Sequence, residues 1–134
     1  MMVYGCTKTG DFNKPTALAH ARQSSSSGAS IHAMAHVTGG GLTENIIRVV
    51  PEGLGLEIEA SAIVLPPVFE WLQREGAVAD TEMWRTFNCG IGFVLVVPAS
   101  AAAAVESDLD RLSLSHRRIG EVVQADGGDR VRIG

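Results

Sequence analysis

A run of three glycines, placed between an apolar stretch and a helical one, is the segment best suited to chemistry. Residues 34–46 read MAHVTGGGLTENI. The run matches neither G-x-x-x-x-G-K-[ST] nor G-x-G-x-x-G. The first turn of a helix nevertheless has unpaired N–H groups and the positive end of the helix dipole, and glycines let an anion come close to both. Gly39, Gly40 and Gly41 therefore predict either a phosphate cradle or a tight structural turn, and their spacing does not choose between the two.

Four polar residues flank the glycines. His36 and Thr38 share one side of the preceding strand, because residues two apart in a strand point the same way. A histidine there could bind a metal or a phosphate or transfer protons, but a side chain hydrogen-bonded beneath the loop is the favoured interpretation. Thr38 is expected to cap the following turn. Glu44 suits the positive end of the helix dipole, and Asn45 could reach a ligand.

A second unusual stretch, FNCGIG, covers residues 87–92. Asn88 is of a residue type common where a helix ends. Gly90 and Gly92 have no side chains, so the wall of an adjacent cavity would be thin there. Cys89 would act as a nucleophile only with a lowered pKa and a partner base. The sequence indicates neither, so a buried structural cysteine is favoured. The histidines and cysteines have no metal-ligand spacing, and no metal site is predicted.

Hydrophobic periodicity predicts an α/β (α+β) domain in which helices pack on a mixed sheet. The apolar segment at 90–97 is nearly unbroken, which is typical of a strand with both faces covered. Val68, Phe69 and Leu72 should form the apolar stripe of the helix at 66–76, and Asp80 should cap the next helix. Strands are predicted at 31–37, 54–60, 90–97, 117–124 and 130–134, with a turn at 125–129, and helices at 42–50, 66–76, 81–87 and 99–112.

The composition of the chain argues against several classes of function. The chain has 134 residues, 46% of them hydrophobic, and a net charge of -4 with an isoelectric point of about 5.5. These values argue against nucleic-acid binding, and the longest apolar run is too short to cross a membrane. Two cysteines do not make a disulfide framework, which favours a reducing, cytoplasmic setting. Residues 1–30 are predicted to be a poorly ordered leader and residues 31–134 the domain.

Four segments together resemble a known family: MAHVTGGGLTENIIRVVPEGLG, PPVFEWLQREG, EMWRTFNCGIGFVLVVP and IGEVV. They are similar, in the same order and with the same spacing, to the C-terminal domain of phosphoribosylformylglycinamidine cyclo-ligases, the aminoimidazole ribonucleotide synthetases. The resemblance runs from about Ile31 to Val123. It implies a homodimeric ligase of de novo purine biosynthesis that uses ATP and Mg²⁺ to close the imidazole ring of formylglycinamidine ribonucleotide, releasing ADP and phosphate. The main nucleotide site would lie on an N-terminal domain that this sequence does not contain.

The resemblance also implies roles for individual residues. Thr38, Gly39, Gly40, Gly41 and Asn45 would bind the substrate or its phosphate. His36, Glu44, Asn88 and Gly90 would line the cleft. His36 stands where relatives in the wider superfamily often have an acidic metal ligand, so it is not assigned to a metal.

Three interpretations stay open. The leading one is a partial chain of the ligase that is inactive by itself. The alternative is a non-catalytic α/β binding or dimerisation module that retains the fold. The sequence HVTGGGLTEN argues against a third possibility, an ATP-using relative with another substrate.

Overall fold

A computed structural model describes residues 1–6 and 31–134. We number the elements within these residues. Short 3-10 turns cover Ile47–Val49, Ala60–Ala62 and Ala99–Ala101. The strands are β1 Met2–Cys6, β2 Ala33–His36, β3 Leu54–Ile58, β4 Phe93–Val97, β5 His116–Gln124 and β6 Val131–Ile133. The helices are α1 Gly41–Ile46, α2 Pro67–Gly76, α3 Asp80–Thr86 and α4 Ala102–Arg111.

The described strands form one six-stranded mixed sheet in the order β2-β4-β1-β5-β3-β6. Four neighbouring pairs are antiparallel, and β6 alone runs parallel to its neighbour β3. Strands β5 and β6 therefore do not form a hairpin across the turn at 125–129, because β3 lies between them. The predicted fold class, helices packed on a mixed sheet, is confirmed.

Strand β4 is covered on both faces, as its unbroken apolar sequence predicts. Val94 and Val96 belong to the larger core cluster, which also includes Leu42 of α1 and Met83 of α3. Leu95 and Val97 face the opposite side, where Val105 and Leu109 of α4 cover them together with Tyr4. Alternate side chains of one strand thus contribute to two cores, which leaves no position on it for a polar residue.

The beginning of the chain departs from the prediction. Met2–Cys6 are not part of a poorly ordered leader, since they form β1, which pairs with β4 on one side and β5 on the other. Every residue from Val3 to Cys6 is buried. The strand is as long as β3 and β4, but a largely polar stretch follows it in the sequence, and its stability depends on two neighbours far along the chain. Residues 7–30, including the short helix expected near 16–22, lie outside the described residues.

Two smaller predictions are wrong as well. Val68 is 56% exposed, and the inner side of α2 is formed by Phe69 and Leu72, which are half-buried. Asp80 is the first residue of α3 rather than its cap, and no side chain caps that helix. Within the described residues, no helix has the length and apolar character that crossing a membrane requires.

Tyr4 connects β1 to α4. Its hydroxyl donates a hydrogen bond to Glu106 Oε1 at 2.6 Å. Burial, assisted by that hydrogen bond and by the negative charge of Glu106, raises the pKa of Tyr4 from 10.0 to about 12. A phenol whose pKa is raised in the folded state stabilises the fold fully below its unfolded pKa, and that contribution is lost as the pH rises through the folded pKa.

We therefore expect the free energy of unfolding to fall by about 1–3 kcal/mol as the pH rises from 10 to about 12. The measurement is urea unfolding followed by circular dichroism at each pH. Tyr4→Phe should show a smaller fall. Both buried thiols also have a pKa raised to about 11, but they are present in both proteins and cancel in the comparison. Identical pH profiles would contradict this role of Tyr4.

Candidate functional site

The two glycine-rich segments of the sequence lie side by side at one end of the sheet. Val37, the residue after β2, is buried and donates its N–H to the carbonyl of Gly92 at 3.0 Å. Gly92 in turn donates its N–H to the carbonyl of Cys6 at 3.2 Å. The loop Thr38–Gly41 and the segment Asn88–Gly92 are therefore neighbours, as expected for two walls of one site.

The three glycines differ in what surrounds them. Gly40 has φ +91° and makes the left-handed turn that starts α1. Gly41 has φ +58°, and a Cβ added there would lie 2.2 Å from the carbonyl oxygen of Trp84. A Cβ at Gly39 would meet no atom within 4 Å. Gly41 thus lets α1 approach the backbone of α3, Gly40 makes the turn, and Gly39 leaves bare backbone facing open space.

Asn45 fixes the shape of this loop from below. The residue is buried, and its Nδ2 donates to the carbonyls of Gly41 at 2.7 Å, Gly39 at 3.1 Å and Thr38 at 3.4 Å. An amide nitrogen has two hydrogens, so these three acceptors already use its donor capacity. The side-chain amide of Asn45 therefore holds the loop and does not donate to a ligand.

The remaining flanking residues are exposed. His36 stacks on Phe93 with ring centroids 6.2 Å apart, and its exposure contradicts the position beneath the loop that the sequence suggested. Thr38 caps the turn through its carbonyl, which accepts from the N–H of Gly41 at 3.2 Å, rather than through its hydroxyl. The carboxylate of Glu44 lies over Gly40, because a Cβ added to Gly40 would be 2.5 Å from Glu44 Oε2.

Segment 88–92 is a turn with an internal side-chain hydrogen bond and a protonated cysteine. Asn88 Oδ1 accepts a hydrogen bond from the N–H of Gly90 at 3.0 Å. Gly90 has φ +86°, and a Cβ there would lie 2.5 Å from Pro66 Cγ. Cys89 is buried, its Sγ lies 3.5 Å from the carbonyl oxygen of Met83, and burial raises its thiol pKa to about 11. Such a thiol is not a nucleophile at neutral pH, which favours the structural role predicted for it.

An open groove of about 900 Å³ adjoins this turn. Its apolar wall includes Ile91, Gly5 and Ile119. Pro66 also lines the groove and lies against Gly90. His116 lies on the polar side, with Nδ1 3.0 Å from the carbonyl oxygen of Leu114. The sequence did not reveal this groove, because its residues come from several separate segments of the chain. Within the described residues, no group of three or more His, Cys, Asp or Glu side chains could hold a metal ion.

These features define an α+β domain whose glycine-rich loops meet at one end of a mixed sheet. The chain belongs to the family described as AIR synthase related protein, C-terminal domain, whose model matches residues 10–133. The resemblance carried by the glycine motifs is thereby confirmed.

The curated relatives include phosphoribosylformylglycinamidine cyclo-ligases. One from Xanthomonas campestris pv. campestris is 73% identical over 109 residues, which cover 81% of this chain and 32% of the relative. One from Xylella fastidiosa is 64% identical over 105 residues, covering 78% of this chain and 30% of the relative. The chain thus spans about a third of the length of these relatives.

Two solved structures share the fold. The tt0281 protein of Thermus thermophilus matches 98% of this chain and 48% of its own, with a TM-score of 0.59 and 22% identity. A thiamine-monophosphate kinase from Stenotrophomonas maltophilia matches 98% of this chain and 49% of its own, with a TM-score of 0.62 and 14% identity. At these identities the likeness concerns the fold alone.

Substituting the glycines one at a time should separate their roles. Gly41→Ala is expected to lower the free energy of unfolding by about 2–4 kcal/mol, because it adds left-handed strain and a collision with the α3 backbone. Gly39→Ala, which points into open space, should change it by less than about 0.5 kcal/mol. Urea unfolding of both variants measures the difference. Equal losses at the two positions would contradict the assignment.

Asn45 can be tested in the same way. Asn45→Ala removes the donor from the loop carbonyls and should cost about 1–3 kcal/mol. Asn45→Asp should cost more, because it turns a carboxylate towards carbonyl oxygens in a buried position. The exposed neighbour Glu44→Gln serves as the control and should leave the melting temperature nearly unchanged. If Asn45→Asp were as stable as the parent, Asn45 would not hold the loop.

Proposed function

We propose that this chain is the C-terminal part of an ATP-dependent phosphoribosylformylglycinamidine cyclo-ligase of de novo purine biosynthesis. The observation that carries the proposal is the 73% identity over 109 residues to a relative of that name. The complete enzyme would convert formylglycinamidine ribonucleotide into aminoimidazole ribonucleotide, ADP and phosphate, as a homodimer in the cytoplasm. In this reaction ATP supplies the phosphoryl group that makes the formyl-derived amide oxygen a good leaving group.

We assign the Mg²⁺ site and most nucleotide contacts to the part of the enzyme that this chain does not cover, as the family resemblance implies. Among the described residues, no group of three or more His, Cys, Asp or Glu side chains could hold a metal ion. The carboxylate of Glu44 lies over the loop, and Mg²⁺ held by one or two carboxylates also needs waters and substrate phosphates.

What this chain would contribute is a preformed wall of the substrate cleft. Asn45 fixes the loop from Thr38 to Gly41, and Gly39 leaves its backbone bare. Asn88 fixes the neighbouring turn through Gly90. A preformed wall of this kind would orient the bound substrate. Holding two reacting groups in place removes much of the entropic barrier to ring closure.

The ligand group proposed for the loop is a phosphate, either that of the ribonucleotide or that of the nucleotide. The bare backbone at Gly39 supports this proposal, since a phosphate could approach N–H groups there without meeting a side chain. The carboxylate of Glu44 works against it, because two negative charges about 4 Å apart repel by about 1 kcal/mol even in water. A bound phosphate should therefore displace the exposed Glu44 side chain.

Two substitutions should consequently change phosphate affinity in opposite directions. Gly39→Val places a branched side chain in front of the loop and should weaken binding by roughly tenfold. Glu44→Gln removes the repulsion and should strengthen it by roughly fivefold. Inorganic phosphate titrated into the chain, followed by the amide NMR shifts of the loop, gives both values. Shifts that do not respond to either change would reduce the loop to a turn.

The alternative is a non-catalytic α/β binding or dimerisation module that retains the fold. The decisive assay compares this chain alone with a fusion in which it replaces the matching 109 residues of the Xanthomonas campestris relative. ADP release with formylglycinamidine ribonucleotide is the readout. We expect turnover by the fusion and none by the chain alone. A folded but inactive fusion would favour the alternative.

A further inference from the structure

Large exposed apolar side chains are concentrated in one short stretch of the molecule. Among the described residues, the large apolar side chains that count as exposed are Met1, Val64, Val68 and Trp71. Three of these lie close together in the sequence, with Val64 57%, Val68 56% and Trp71 53% exposed. We call Val64, Val68 and Trp71 the outer patch. Contiguous apolar exposure is typical of binding surfaces, whereas isolated exposed residues are common and need no explanation.

The helix that carries the patch is apolar over more of its surface than the core covers. On the inner side Phe69 packs against Phe87, with ring centroids 5.7 Å apart, and Leu72 is half-buried beside it. On the outer side Val68 and Trp71, three residues apart, share a face. No residue of α2 is buried. A surface helix normally limits its apolar residues to the side that meets the core, so the extra width indicates a second contact.

The patch is continuous with the groove beside the candidate site. Val64 belongs to both, and Leu65, Pro66 and Pro67 extend the groove wall towards α2. Pro66 also lies against Gly90 of the second glycine segment. A partner seated on the patch would therefore lie next to the groove and, through Pro66, next to the second glycine segment. Ligand sites commonly form in clefts of this kind between two domains.

We propose that the outer patch is the docking surface for the part of the full-length cyclo-ligase that this chain does not cover. The relatives are about three times as long as the matched region, since 109 residues make up 32% of one of them. A domain joined to this one by the same chain needs only a modest contact, and contacts within one chain commonly bury about 600–1,500 Å². Tryptophan is also among the residues that contribute most to such contacts. The inference rests on the proposal that this chain is the C-terminal part of such an enzyme, but the interface is independent of the reaction proposed for it.

The test measures how accessible the patch is with and without the rest of the enzyme. Val68→Cys places a thiol in the patch, and Ala104→Cys places one at an exposed position of α4 as the matched control. Both are made in this chain and in the fusion with the remainder of the Xanthomonas campestris relative. Labelling by iodoacetamide is followed at each site by mass spectrometry. The natural thiols Cys6 and Cys89 are buried, so slow labelling of Cys89 reports that the fold is intact.

If the patch is the docking surface, the thiol of the Val68→Cys variant should be labelled roughly tenfold or more slowly in the fusion than in the chain alone. Labelling of the Ala104→Cys control should be unchanged. Adding Trp71→Glu to the fusion should restore fast labelling at position 68. Equal rates in fusion and chain would overturn the proposal. Protection that already appears in the chain alone and increases with its concentration would also overturn the proposal, because a second copy of the chain would then cover the patch.

A second measurement covers the case in which the fusion does not fold. This chain is mixed with the separately produced remainder of the relative. Complex formation is followed by sedimentation velocity, with and without Trp71→Glu. A complex that forms with the parent chain and is lost with Trp71→Glu supports the proposal. Absence of a complex, or a complex indifferent to Trp71→Glu, overturns it.

Discussion

The two backbone hydrogen bonds of Gly92 join the ends of three strands. Its N–H is donated to Cys6 at the end of β1, and its carbonyl accepts the N–H of Val37 just after β2. Gly92 itself leads directly into β4. Because the N–H and the carbonyl of Gly92 are both hydrogen-bonded, the two glycine segments that follow β2 and precede β4 cannot move apart without breaking these bonds. The candidate cleft therefore lies at the end of β4, a strand with both faces buried. The position of β4 determines where the two loops lie.

Much of the fold could be predicted because it depends on local patterns. The nearly unbroken apolar run at 90–97, the alternation at 54–60 and the proline and glycine at the ends of α2 each indicate their own structure. Strand β1 could not be found in this way, since a largely polar stretch follows it in the sequence and only its distant partners identify it as a strand. The parallel pairing of β6 with β3 was missed for the same reason. Pairing across a sheet is decided by the whole fold rather than by the sequence of either strand.

The candidate site shows a similar division. The sequence located the two glycine segments, but three identical residues in it do not show that each has different surroundings. Position 41 requires glycine because the backbone of Trp84 lies against it, whereas Gly39 faces open space. Asn45 was expected to be able to reach a ligand, whereas its amide is directed inward at the carbonyls of its own loop. That contact depends on the turn being formed first, so the sequence alone could not have shown it. The groove lined by Ile91 and His116 was equally invisible, because it exists only once distant segments are assembled.

The central place of β1 has a consequence for how this domain is made. Residues 2–6 pair with residues 93–97 and 116–121, so a chain that emerges from the ribosome presents this apolar strand long before its neighbours exist. Closing so long a loop delays folding, and pairings between distant segments are among the slowest to form. During that interval the backbone groups of β1 have no sheet partner. The order of synthesis thus leaves the middle of the sheet to be completed late, when β5 emerges to cover the second edge of β1.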